Sequence, residues 1–134
     1  MYKGEKRKSK NENNIIAKNP NAYHNYDIRD KIEAGIVLFG TEIKSIRKGK
    51  VNLKDSYAII EKNREVFVYG LNISSYEHGN IYNKDPLRPK KLLLKKSEIH
   101  KLVGIVSTKG YSLIPTKMYF NKNYVKLEIG IRKR

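Results

Sequence analysis

Seven Lys or Arg side chains and only two acids fall between Lys84 and Lys101 in the stretch KDPLRPKKLLLKKSEIHK. Tyr76 and Tyr82 lie just ahead of it, and Gly79, Asn80, Asn83, Asp85, Pro86 and Pro89 discourage regular structure around its start. Ammonium and guanidinium groups neutralise phosphates and release their counterions, while rings stack on unpaired bases. Charge, amides and rings on one irregular stretch therefore describe a surface for a phosphate backbone with unstacked bases, or for a folded RNA. A solvated loop feeding a basic helix would carry the same charges. The candidate contacts in this run are Lys84, Arg88, Lys90 and Lys91.

Other chemistry finds little support. Metal-dependent phosphodiester cleavage needs converging carboxylates, and Asp27, Asp30, Asp55 and Asp85 show no close or helical spacing that would make a cluster of them. The three histidines are scattered, and cysteine is absent, which excludes disulfides and thiolate zinc sites. No histidine–nucleophile pair is legible. These residues imply a binding module with no catalytic residue, metal or cofactor. Glu33 stands alone in an apolar stretch, where it accepts a hydrogen bond from a base edge or a 2′-hydroxyl, or pairs with a lysine. His24, between Tyr23 and Tyr26, stacks on a base, pairs with a carboxylate or simply sits on the surface.

The formal charge is +16, from 29 Lys and Arg against 13 Asp and Glu. So large an imbalance repels itself in the compact state and attracts a polyanion over long range. A membrane surface is the rival polyanion, but no stretch reaches transmembrane length and no lone amphipathic helix carries a bulky aromatic face. No apolar segment follows the charged amino terminus, so a secretory signal is not expected and a cytosolic protein is. At 134 residues the chain suits one domain, expected as a monomer.

The elements that position these groups read as follows. Residues 1–14 hold five Lys or Arg and few apolar side chains, and are expected to form a disordered basic arm. Residues 26–39 end in a strand with Ile32, Ala34, Ile36 and Leu38 on one face, and Gly35 marks a bulge or coil. TEIKSIRKG predicts a short helix capped by Thr41, with Ile43 and Ile46 buried and Gly49 as its stop. DSYAII and EVFVYGLNI predict a hairpin joined by residues 61–64. The basic run is then a long loop. A helix follows over 97–109, with Ile99, Leu102, Val103 and Val106 on its apolar stripe. Pro115 predicts an edge, a bulge or a strand start, and Val125, Leu127, Ile129 and Ile131 alternate in the last strand. Five or six short strands with these helices suit a mainly β protein, a small closed barrel of oligonucleotide-binding type. An open sheet with two helices is the rival.

At GIVLFGTEIKSIRKGKVNLKDSYA and NKDPLRPKKLLLKKSEIHKL the sequence resembles the SsrA-binding protein (SmpB) family, bacterial partners of transfer-messenger RNA in rescue of stalled ribosomes. The likeness runs from IIAKNPNAYHNY through LIPTKMYFNKNYVKLEIGI, about residues 15–131. It implies an RNA-binding barrel domain over 15–131 that holds the tRNA-like domain of transfer-messenger RNA and enters the decoding region of the small ribosomal subunit. The RNA then templates a peptide tag. By match to the family pattern, Glu33, Lys91, Leu92 and Lys126 fall at RNA-binding positions, and Asn19, Tyr23 and His24 belong to an opening near the RNA. Asn72–Tyr76 departs from the family's His-Ile-x-Pro-Tyr step, and Asn83-Lys84 replaces an Asn-His pair. The family continues in a long basic tail, of which residues 132–134 are the expected start, the rest being largely missing. Without it, RNA binding is expected and full tagging is not. A structural ribosomal protein of similar size and charge is the alternative function.

Overall fold

A computed structural model describes residues 14–22, 27–75, 84–108 and 110–133. The expectations for the arm of residues 1–13, for Tyr23, His24 and Tyr26, and for Tyr76 and Tyr82 lie outside the described residues.

Alternation along the strands closes a barrel. β2 (Asp27–Ile36) pairs with β7 (Lys90–Leu93), β7 with β5 (Val66–Tyr69), and β5 with β4 (Tyr57–Ile60). The ring continues from β4 to β8 (Tyr111–Asn121), from β8 to β9 (Tyr124–Lys133), and from β9 back to β2. Each of these pairings is antiparallel, and closure removes the edges that an open sheet would expose. Ala34, Ala58, Val66, Val68, Leu92, Leu113, Met118, Leu127 and Ile129 share the buried core. Each large aliphatic side chain buried there contributes about 1.5–3 kcal/mol of transfer free energy.

Five further elements complete the description. β1 (Ile15–Lys18), not foreseen as a strand, pairs with Lys117–Tyr119 of β8, on the edge that β4 meets further back at Leu113. Between the two, Asn19 donates its backbone N–H to the Thr116 carbonyl at 2.8 Å and its side-chain amide to the Pro115 carbonyl at 2.9 Å. β3 (Val51–Asn52) and β6 (Asn72–Ile73) form a separate two-stranded ladder. Helix α1 (Gly40–Arg47) sends Ile46 into the core, and α2 (Lys96–Val106) sends Leu102.

Several local expectations are corrected. β2 leaves the ladder after Ile36, and its irregularity lies between Ile28 and Asp30, not at Gly35. Gly35 instead admits a close neighbour, since a Cβ there would lie 3.3 Å from that of Leu93. Phe39, not Thr41, caps α1: the Glu42 carboxylate reaches back to accept the Phe39 N–H at 2.8 Å. On α2 the stripe is Ile99, Leu102, Ile105 and Val106, with Ile105 in place of Val103. Of the edge, bulge or strand start expected at Pro115, β8 shows a bulge-like register shift between Pro115 and Lys117. β9 runs two residues past Ile131, because Arg132 and Lys133 pair with β2 on one side and β8 on the other.

Candidate nucleic-acid interface

The period of two decides which residues of β2, β7 and β9 face outward. Ala34 lies opposite Leu127 and both are buried, so Glu33 opposite Glu128, and Gly35 opposite Lys126, lie on the outer face. Across the other edge of β2, Gly35 pairs with Leu93, which is 53% exposed. One outer face thus brings together Glu33, Leu93, Lys126 and, two residues before Lys126, the exposed ring of Tyr124. Lys91, outward on β7 like Leu93, forms an ion pair with Glu65 at 2.9 Å. The Lys91 ammonium and the Asn63 amide hold the Glu65 carboxyl below the usual carboxylate range.

A polar bar lies across this face. The Tyr119 hydroxyl on β8 donates to the Glu33 carboxylate on β2, passing over β9. Burial pushes the phenol's pKa up, and the bond to Glu33 pushes it further, so Tyr119 remains a donor at neutral pH. Glu128 is held by the Thr116 hydroxyl at 2.7 Å and lies 3.8 Å from the Lys117 ammonium. The face therefore offers cations for phosphate, a fixed acceptor for a donor group, and apolar and aromatic surface for a base.

A family model for the SmpB protein matches residues 16–134. The chain belongs to the SmpB family. It is 58% identical over 125 residues to the SsrA-binding protein of Thermoanaerobacter pseudethanolicus, a match covering 93% of this chain and 80% of that one. Against the SsrA-binding protein of Caldanaerobacter subterraneus subsp. tengcongensis the identity is 59% over 126 residues, covering 94% and 79%. Among solved structures, a chain of "tmRNA-SmpB: a journey to the center of the bacterial ribosome" superposes with a TM-score of 0.73 at 44% identity. That match covers 88% of this chain and 82% of the other.

Within this SmpB-family barrel, the described residues singled out from sequence separate into three groups. Glu33, Lys91 and Lys126 share the outer surface just described. Lys84 lies 4.4 Å from the ring of exposed Phe39, and Arg88 lies 4.7 Å from the same ring. Three expected surface contacts are turned inward instead. Lys90 is fully buried, and its ammonium donates to the carbonyls of Leu71 at 2.7 Å and Pro86 at 2.9 Å. Loss of water pulls its pKa down to about 8. Leu92 faces the barrel interior at 2% exposure, because Lys90–Leu93 is a strand and not the end of a loop. Asn19 is 3% exposed and spends its amide on the Pro115 carbonyl.

Sequence reasoning missed Leu93, Tyr124 and Tyr119. The alternation of KKLL carried the signal for Leu93, since a buried Leu92 places its neighbours outside. Tyr124 follows the turn at Asn121–Asn123 and opens a strand whose odd positions are apolar and buried, so at an even position it faces outward and is 69% exposed. Among the described residues no group of three or more His, Cys, Asp or Glu side chains is placed to hold a metal ion, and no helix is long and apolar enough to cross a membrane.

Proposed function

We propose that this chain binds the tRNA-like domain of transfer-messenger RNA and brings it to stalled ribosomes for peptide tagging and release. It acts in the bacterial cytoplasm as a binding module, with the RNA supplying the template and no side chain of the protein doing chemistry. Residues 15–131 serve as the RNA-binding domain, and the complex occupies the decoding region of the small subunit. The observation that carries this reading is the single outer face of β2, β7 and β9, on which Glu33, Lys91, Leu93, Tyr124 and Lys126 are displayed by a closed barrel of the SmpB family. Lysines there position the phosphate backbone, while Glu33, Leu93 and Tyr124 meet groups that distinguish one RNA shape from another.

The experiment is paired. Filter binding measures affinity for the tRNA-like domain beside an unrelated RNA hairpin of equal length, and a reconstituted translation system programmed with non-stop mRNA measures tag addition. A one-to-one complex selective for the tRNA-like domain is expected, weakened by Lys126→Ala. Equal affinity for both RNAs would overturn the reading in favour of a general ribosomal or rRNA-binding protein.

A further inference from the structure

Two carboxylates stand face to face in the middle of a surface meant for a polyanion. Glu33 and Glu128 are direct cross-strand partners on β2 and β9. Like charges so placed destabilise a sheet, and on a chain of charge +16 they also repel the phosphates that the rest of the surface attracts. Glu128 is quenched locally, by the Thr116 hydroxyl at 2.7 Å and the Lys117 ammonium at 3.8 Å. Glu33 is exposed, and the hydroxyl of Tyr119 holds it.

The reach of that hydroxyl explains why a tyrosine occupies position 119. Tyr119 on β8 lies opposite Lys126 of β9, whereas Glu33 on β2 lies opposite Glu128 of β9. The side chain must therefore cross a whole strand, about 10 Å from one backbone to the next but one. Serine, threonine or aspartate would fall short. Tyr119 is 2% exposed and Glu33 is exposed, so a fixed ring carries the hydroxyl while the carboxylate looks out to solvent. A phenol also orients a carboxylate without neutralising it. One O–H occupies a single acceptor site, and the remaining lone pairs point to whatever lies on the face.

We propose that Tyr119 is the positioning residue that aims Glu33 at a hydrogen-bond donor of the bound RNA, a base N–H or a ribose 2′-hydroxyl. The pair then contributes discrimination, because a carboxylate held in one direction favours a donor at one place and disfavours phosphate there. This inference rests on the RNA-binding reading above, and its failure is separable from the failure of that reading.

The test is a double-mutant cycle on affinity for the tRNA-like domain, using Tyr119→Phe, Glu33→Gln and the double variant, with Lys126→Ala as reference and thermal melting of each. Tyr119→Phe keeps the ring, and Glu33→Gln alters only an exposed side chain, so the second remains informative if the first loosens the fold. Expected is a loss of about five- to tenfold for each single variant, with the double variant no weaker than Glu33→Gln alone. Additive losses, or full affinity in Tyr119→Phe beside a loss in Glu33→Gln, would overturn the positioning role and leave the RNA face intact. Full affinity in Glu33→Gln and Lys126→Ala together would remove the face itself. The source of the donor is read with 2′-deoxy-substituted RNA: weakened binding to the wild type but not to Glu33→Gln assigns it to ribose, and equal binding assigns it to a base.

Discussion

Arg88 grips Glu42 through two hydrogen bonds, Nε to Oε2 at 2.8 Å and Nη2 to Oε1 at 2.6 Å, across 46 residues of sequence. Glu42 is only 5% exposed, and its Oε1 also accepts the Phe39 N–H that starts α1. The guanidinium thus ties the end of the basic loop to the first turn of a helix. Removing it strips a buried carboxylate of its two-point partner and leaves only the charge of Lys90 acting on it, so Arg88→Ala is expected to destabilise the fold by about 2–4 kcal/mol. Arg88→Lys is expected to recover little, because a lysine cannot reproduce the two-point fork. Urea unfolding measures both; wild-type stability in Arg88→Ala would show that the pair is idle.

Lys90 makes the pH dependence of stability specific. Its pKa is lowered on folding from 10.5 to about 8, chiefly by burial. Between those values the unfolded chain holds a proton that the folded chain has released, so stability gains a contribution that rises with pH across this window. Below about pH 8 the ammonium is charged in both states and the contribution stays at its minimum. Lys90→Met should erase this rise relative to the wild type while removing the ammonium from the Leu71 and Pro86 carbonyls, the second of which keeps the Ile73 N–H at 3.1 Å. Melting temperatures of the two proteins from pH 7 to beyond the unfolded value provide the comparison, and parallel curves would contradict it.

Much of the barrel was legible where hydrophobic period and burial agree. Val125, Leu127, Ile129 and Ile131 alternate in the sequence and are buried in the structure. β7 was hidden for the opposite reason: its inward positions are Lys90 and Leu92 and one outward position is Leu93, so charge and exposure disagree at two of its four residues. A lysine buries only when distant carbonyls satisfy it, and Leu71 lies 19 residues away. The site was legible in part. Glu33 and Lys126 stood out as a carboxylate in an apolar run and a cation in a strand, but their juxtaposition follows from the pairing of β2 with β9, which no local pattern states. Tyr119 was invisible because its partner is 86 residues away.

Two glycines separate backbone need from habit. Gly70 has φ +75°, and a Cβ there would lie 2.7 Å from the Asp55 carbonyl oxygen, so Gly70→Ala should cost more than about 2 kcal/mol. Gly104, inside α2, has nothing within 4 Å of such a Cβ. Gly104→Ala should therefore stabilise the protein by about 0.5–1 kcal/mol through helical propensity alone. Denaturant midpoints moving the same way in both variants would contradict this account.

Lys91 and Lys126 should act on RNA through charge. Each changed to Ala is expected to reduce the slope of log affinity against log salt by about one if it contacts a phosphate, with melting nearly unchanged. Lys90→Met, buried in the barrel, is expected to retain the wild-type slope. A slope lowered by Lys90→Met but not by Lys126→Ala would reverse the assignment of inner and outer lysines.

The most direct test of the RNA-binding face is an NMR titration of the backbone amides with the tRNA-like domain of transfer-messenger RNA. The largest shift changes are expected at Glu33, Gly35, Lys91, Leu93, Tyr124 and Lys126, with the hairpin of β4 and β5 at Tyr57 and Ile59 left nearly unmoved. Changes concentrated on Tyr57 and Ile59, with β2 and β9 silent, would contradict the account.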